Sequence, residues 1–216
     1  MIPVLAIPVL NRYDLLDKNL ELIDYPIKEI LIINNGKETY EPKRKDLNIR
    51  VLNLPSNLGM SGSWNLTIKL YPHEPFWVFS SADTHWLPGS LQQIFEASSP
   101  GKLVMTNEAW SCFSIGEEMI RHVGLFDEFF YPIYFEDNDY YERVMNSELK
   151  DGYVHGTIEV EAPEGASRTI QSDETLMRRN HETFRVNQEY FNKKKKQNFS
   201  IMGSWDIDRR RTQEWL

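Results

Sequence analysis

"PVLAIPVLNRYDLLDKNLELIDYPIKEILIINNG", Pro3 to Gly36, is the stretch whose reading decides the fold. Pro3 to Leu10 is an apolar run of strand length. The residues after it place Leu15, Leu16, Leu20 and Ile23 at helical spacing, and "EILII" is a second apolar run stopped by the turn signal Asn-Asn-Gly. Strand, helix, strand, with both strands apolar throughout, is the pattern of a parallel sheet covered on both faces. The chain then repeats it. "IRVLNLP" reads as a third strand and "NLGMSGSWNLTIKLY" as a glycine-containing loop feeding a helix, with Ser61 or Ser63 as its cap. "FWVFSS" is a fourth strand, and "LPGSLQQIFEAS" is a turn and helix. In such sheets ligands sit at the carboxyl ends of the strands.

The second half changes character. "KLVMTNEAWSCFSI" reads as one or two strands, "GEEMIRHVGLFDEFF" as a helix leading into an aromatic loop, and "YFEDNDYYERVMNSEL" as an acidic cluster opening a helix. "GYVHGTIEVEAP" alternates like an exposed strand. "SDETLMRRNHETFRVNQEYFNKKKK" is a long helix capped at Ser172 or Asp173, with Phe184, Tyr190 and Phe191 at core spacing. One α/β domain accounts for residues 1–216: a nucleotide-type half (1–100), an acceptor or catalytic half (101–192) and a basic tail (193–216).

Composition narrows the class. The chain is 41% hydrophobic and 26% charged, as expected of a soluble globular protein. Its apolar runs are far shorter than a membrane span, and no secretory signal opens it, so a cytoplasmic protein is expected. Cys112 is the single cysteine, which excludes an internal disulfide framework and any multi-cysteine zinc site. A net charge of −8 argues against a surface built broadly for nucleic acid. The basic runs Lys193–Lys196 and Arg209–Arg211 read as a solvated helix end and tail.

Four turns that follow apolar strands converge on one sheet edge. They are "PVLNR" (Pro8, Val9, Asn11, Arg12), "NNG" (from Asn34), "SNLGMSGSWN" (Asn57, Gly59, Ser63, Asn65) and "SSAD" (Ser81, Ala82, Asp83). Together they offer amides for a base edge, backbone and Arg12 for phosphates, and one carboxylate, Asp83, for a divalent ion. Mg²⁺ or Mn²⁺ on a diphosphate typically takes only one or two protein carboxylates.

The order of these segments resembles the family 2 glycosyltransferases of the GT-A fold, which move a sugar from a nucleoside diphosphate. "PVLNR", "NNGK", "NLGMSGSWN", "SADTHWLPGSL" and above all "FDEFFYPIYFEDNDYYER" follow that family's pattern over roughly residues 1–192. The resemblance implies a GT-A (Rossmann-like) fold with a mainly parallel central sheet, helices on both faces and a small C-terminal acceptor-side region. It also implies an inverting hexosyltransferase that uses a UDP-sugar, such as UDP-glucose, with Mn²⁺ or Mg²⁺. Two residues depart from the family: Asn34 stands where it has a base-recognising aspartate, and Ser81 replaces the first acid of the metal motif, leaving Asp83 as the sole ligand.

An inverting transfer needs a carboxylate that takes the acceptor hydroxyl's proton. The resemblance assigns that role to Asp137, beside Glu136. Asp139 is expected at the start of the helix, near Arg143 and the acceptor side, with Trp86 and Tyr134. The late metal-binding histidine of the family has no counterpart; Glu161 or Glu164 stands nearest. A glycan or glycoprotein acceptor is expected. The chain also looks similar to compact virus-encoded transferases, which would work in the host cytoplasm and include enzymes acting on modified DNA bases, but its acidity makes DNA the lesser choice. A nucleotidyltransferase would carry a glycine-rich loop with a basic residue straight after the first strand, which "PVLNRYD" lacks. A non-catalytic sugar-nucleotide or glycan-binding module is the remaining alternative.

Overall fold

A computed structural model describes residues 1–162 and 174–199. The Pro3–Gly36 unit forms strand β1 (Ile2–Val9), helix α1 (Tyr13–Glu21) and strand β2 (Ile27–Asn34), with β1 and β2 parallel and Val9 level with Asn34. Strand β3 (Ile49–Asn53) continues the sheet outward with Asn53 level with Asn34, so three strands end at one height. Helix α2 (Gly59–Leu70) then returns the chain to the other side of β1, where β4 (Phe76–Ser80) pairs in parallel. This reversal of strand order around β1 opens a crevice above β1 and β4, the position where open parallel sheets bind ligands.

The second half adds β5 (His85–Trp86), α3 (Ser90–Ala97), β6 (Leu103–Thr106) and β7 (Ala109–Gly116). Helices α4 (Glu117–Val123) and α5 (Glu136–Met145), a short 3₁₀ turn, β8 (Tyr153–Ile158), β9 (Val160–Glu161) and α6 (Glu174–Lys196) follow. The main sheet has seven strands in the order β3-β2-β1-β4-β7-β6-β8, and β7 alone runs against the rest. A two-stranded ladder, β5 with β9, stands apart.

The continuous apolar strands are continuous because both faces are buried. Leu5, Ile7, Ile30 and Ile32 pack with α1 and α3 residues such as Leu16 and Ile94. On the opposite face Val4, Ala6, Leu31 and Ile33 share a cluster with Trp64, Phe126 and Tyr140. That second core is aromatic, with Trp64 4.7 Å from Phe126 and Phe126 stacked on Tyr140 at 4.3 Å between ring centroids. Cys112 is wholly buried, and burial pushes its thiol well above the ordinary value, which keeps it protonated and unreactive.

Two expectations are corrected. Neither Ser61 nor Ser63 caps α2: the helix begins at Gly59, and Ser63 lies inside it with its hydroxyl donating to the Gly59 carbonyl at 2.6 Å. The loop is held from outside the helix, by Asn35 Oδ1 accepting from Leu58 N and Asn57 Oδ1 accepting from Gly59 N, each at 2.8 Å. The second correction concerns the lysine run. Lys193, Lys195 and Lys196 are exposed, but Lys194 is fully buried. The proposed caps Ser172 and Asp173, Glu164 and the Arg209–Arg211 run lie outside the described residues.

Candidate active site

The crevice is built first from the turn after β4. Thr84 N donates to Ser81 O at 3.3 Å and the two hydroxyls share a hydrogen bond at 3.0 Å, closing a tight turn with Asp83 half-buried inside it. Asn19 of α1 holds this turn from beneath: its amide donates to Ser80 Oγ and Ser81 O and accepts from Trp86 Nε1. Trp86 is therefore a core residue, 3% exposed, and not part of an acceptor platform.

Arg12, after β1, forms a two-pronged ion pair with Asp14, at 2.8 Å through Nε and 2.6 Å through Nη2. That hydrogen bond, the charge of Asp14 and the field of Asp83 raise the guanidinium further above its ordinary value. Arg12 and Asp83 thus lie within electrostatic reach of each other, one cation and one carboxylate after neighbouring strands. The donor set suits a divalent ion only in company with phosphate oxygens. Among the described residues no group of three His, Cys, Asp or Glu side chains forms a ready-made metal site. The β5–β9 register sets Glu161 opposite His85, so a second carboxylate stands near the Asp83 turn.

Asn34 is 1% exposed and turned inward. Its Oδ1 accepts from Tyr13 Oη at 2.9 Å and Gly36 N at 3.0 Å, while its Nδ2 donates to Glu38 O at 2.6 Å and Asn53 Oδ1 at 2.7 Å. An amide has two donors and two acceptor lone pairs, and all four are used. The expected base-reading role gives way to a structural one, locking the β2 turn against α1 and β3. Ser63 and Asn65 are likewise internal. Ser63 accepts from Asn35, and Asn65 clamps the "FDE" segment by donating to Phe126 O and Glu128 Oε1 and accepting from Phe126 N. Gly59, at φ +73°, admits another protein loop: a Cβ there would stand 2.7 Å from the Pro132 carbonyl oxygen. Pro8, Val9 and Ala82 are buried, Asn57 is half-buried and Asn11 is exposed.

The same contacts bring the acidic motif to the crevice. Met60 N donates to Pro132 O at 2.9 Å and Tyr131 Oη to Asn57 O at 3.1 Å, so the loop before α5 is bound directly to the loop before α2. Tyr134 and Phe135 then adopt left-handed backbone (φ +82° and +70°) and launch α5, whose first residues are Glu136 and Asp137. Both acids gain from the partial positive charge at the helix start. Glu136 is 4% exposed and its Oε2 has no hydrogen-bond partner among the described residues; burial, with the neighbouring Asp137 charge, pushes its carboxyl up to about 8. Asp137 is less enclosed, accepts from Asn138 N at 2.7 Å, and is also raised, chiefly by burial. Two adjacent carboxyls of unlike burial are suited to hold unlike protonation states.

Asp139 is fully buried, so it does not face an acceptor. It lies 2.9 Å from Arg143 Nε and 2.5 Å from Lys194 Nζ, and Lys194 also reaches Asp127 Oδ2 at 2.7 Å. Arg143 further donates to the Val123 and Leu125 carbonyls, closing the end of α4. The structure therefore sets Arg12 within the field of Asp83, and ties the loop that precedes Glu136 and Asp137 to Asn57 and Met60. Sequence reasoning passed over Asn19, Asn35, Asn187 and Lys194, which hold these loops. Asn19 had a signal: it is a polar residue on the apolar stripe Leu15, Leu16, Leu20, Ile23.

Residues 4–138 match the family model "Glycosyl transferase family 2", more than half of the chain, and the protein belongs to that family. The chain is similar to S. aureus TarS (TM-score 0.55, 13% identity), covering 74% of this chain and 36% of TarS. It is similar also to S. aureus TarS 1–349 in complex with UDP (TM-score 0.55, 14% identity), covering 74% of this chain and 59% of that one. At such identities the likeness shows the GT-A fold, and this chain spans less than two thirds of either neighbour. No curated protein shows significant sequence similarity to it.

Proposed function

We propose that the protein transfers a sugar from a nucleoside diphosphate, UDP foremost, to a hydroxyl of a glycan or glycoprotein, with inversion at the anomeric carbon. The observation that carries this reading is the docking of the acid-bearing loop onto the donor-side loop through Met60–Pro132 and Tyr131–Asn57. This docking supports reading Asp137 as part of the same sheet edge as Arg12 and Asp83. The TarS neighbour solved with UDP supports the choice of nucleotide. In the reaction the acceptor oxygen bonds to the anomeric carbon, the bond from that carbon to the diphosphate oxygen breaks, and Asp137 takes the hydroxyl proton. Arg12, released from Asp14, neutralises charge on the departing diphosphate. Mn²⁺ or Mg²⁺, held by Asp83 and phosphate oxygens, would supply further neutralisation of that group. Glu136, proton-bearing at neutral pH, leaves Asp137 as the ionised member of the pair. Among the described residues no helix is long and apolar enough to cross a membrane.

Thermal-shift titration with UDP, GDP, CDP and dTDP, each with and without Mn²⁺, tests the donor half. UDP with Mn²⁺ is expected to stabilise the protein most, and Mn²⁺ alone to do little, because one carboxylate binds the ion weakly. Tight Mn²⁺ binding to the bare protein would overturn the Asp83 assignment. Indifference to all four nucleotides would overturn the donor reading.

A further inference from the structure

The family match ends at residue 138, and helix α6 lies wholly beyond it. Yet α6 grips the chain on both sides of Glu136–Asp137. On the upstream side Asn187, 3% exposed, donates from one amide nitrogen to the Ile133 carbonyl at 2.9 Å and the Tyr134 carbonyl at 3.1 Å. Asn180 donates to Tyr134 Oη at 2.8 Å, and Phe184 packs against the Tyr134 and Phe135 rings at 5.4 and 5.0 Å. On the downstream side Lys194 pairs with Asp139, two residues past Asp137. Asn180, Asn187 and Lys194 recur every seven residues, so one stripe of α6 supplies all these contacts.

What that stripe holds is a conformation the chain does not choose for itself. Two consecutive side-chain-bearing residues, Tyr134 and Phe135, stand in the left-handed region immediately before the acids. Such backbone persists only where its surroundings impose it. If the Ile133 and Tyr134 carbonyls lost their donor, the turn would be free to relax, and α5 would start at a different residue with its first carboxylates redirected. Resting on the reading of Asp137 as the base, we propose that helix α6 is a positioning element of the catalytic centre and that Asn187 is its principal positioning residue.

Asn187→Ala tests this in the full-length protein, by steady-state hydrolysis and transfer of UDP-sugars, calorimetric UDP binding, and amide hydrogen exchange. The expected result is a fall in kcat of about tenfold or more, with the donor KM and UDP Kd within about twofold of wild type and faster exchange confined to residues 133–139. Unchanged kcat, unchanged exchange in that segment, or a parallel loss of UDP binding would overturn it. If Asn187→Ala does not fold, Asn180→Ala, on the half-exposed rim of the same contact, takes its place: a smaller fall in kcat at constant KM supports the inference and wild-type kcat contradicts it. Should wild type turn over no donor, the proposed function fails, while the exchange measurement still decides whether α6 holds the turn.

Discussion

Replacing Lys194 with methionine keeps most of the length of the side chain and removes one charge from a group of four. Asp127 and Asp139 are the two carboxylates, Lys194 and Arg143 the two cations, and Lys194, Asp127 and Asp139 expose no side-chain surface. Lysine is the shared partner: its ammonium stands 2.7 Å from Asp127 and 2.5 Å from Asp139. Arg143 reaches only Asp139, so Lys194→Met strands Asp127 with the Tyr190 hydroxyl and the Phe129 amide as its remaining donors. Breaking a buried pair from one side costs about 3–5 kcal/mol, a large part of the roughly 5–15 kcal/mol that a domain has. For a chain of this size each kcal/mol moves Tm by about 2–4 °C, which gives a fall of about 6–20 °C. Circular dichroism melts of Lys194→Met, with exposed Lys195→Met as control, measure it. Adding Asp127→Asn restores charge balance and is expected to recover part of the loss, since residues in one ion-pair network are not additive. A Lys194→Met Tm within about 2 °C of wild type would refute the buried-network reasoning.

Restoring the family's aspartate at Asn34 is expected to harm this protein: Asn34→Asp turns two donations, to Glu38 O and Asn53 Oδ1, into oxygen–oxygen repulsions. A loss of about 1–3 kcal/mol without gain in UDP affinity should appear in urea melts and calorimetry. Gly59→Ala combines φ +73° with a Cβ 2.7 Å from the Pro132 oxygen. Chemical denaturation should show a loss of about 1–3 kcal/mol, accompanied by lower kcat because the acid-bearing loop is displaced. Glu136 titrates near 8 when folded against an ordinary 4.5. The folded state therefore binds the extra proton between those values, and the stability it confers is present in full below about pH 4.5 and lost as pH rises toward 8. Glu136→Gln removes that slope, so urea midpoints at pH 5, 7 and 9 should show the variant gaining steadily on wild type; parallel curves would contradict the burial.

The sheet was legible because its strands are buried on both faces and separated by strong turn residues, so Pro3–Gly36 alone specifies a β-α-β unit. The acid pair was legible because three acids crowd the start of one helix. The roles of Asn34, Ser63 and Asn65 were not. Their residue types suit a ligand edge and an internal loop clamp equally, and only the positions of Tyr13, Asn53 and Phe126 decide between the two. Lys194 was hidden for a related reason. In a run of four lysines nothing in composition marks one as buried, whereas the seven-residue spacing Asn180, Asn187, Lys194 does. Gly59 stood in a turn expected to meet a ligand, and it does permit a close approach, but what approaches is the Pro132 backbone.

The central claim is that Asp137 is the base of a UDP-sugar transfer. Asp137→Asn preserves shape and removes the proton acceptor, so slow hydrolysis and transfer of a UDP-sugar should fall by about 10²- to 10⁴-fold, while calorimetry with UDP and Mn²⁺ returns the wild-type affinity. Turnover within a few fold of wild type in Asp137→Asn would contradict it.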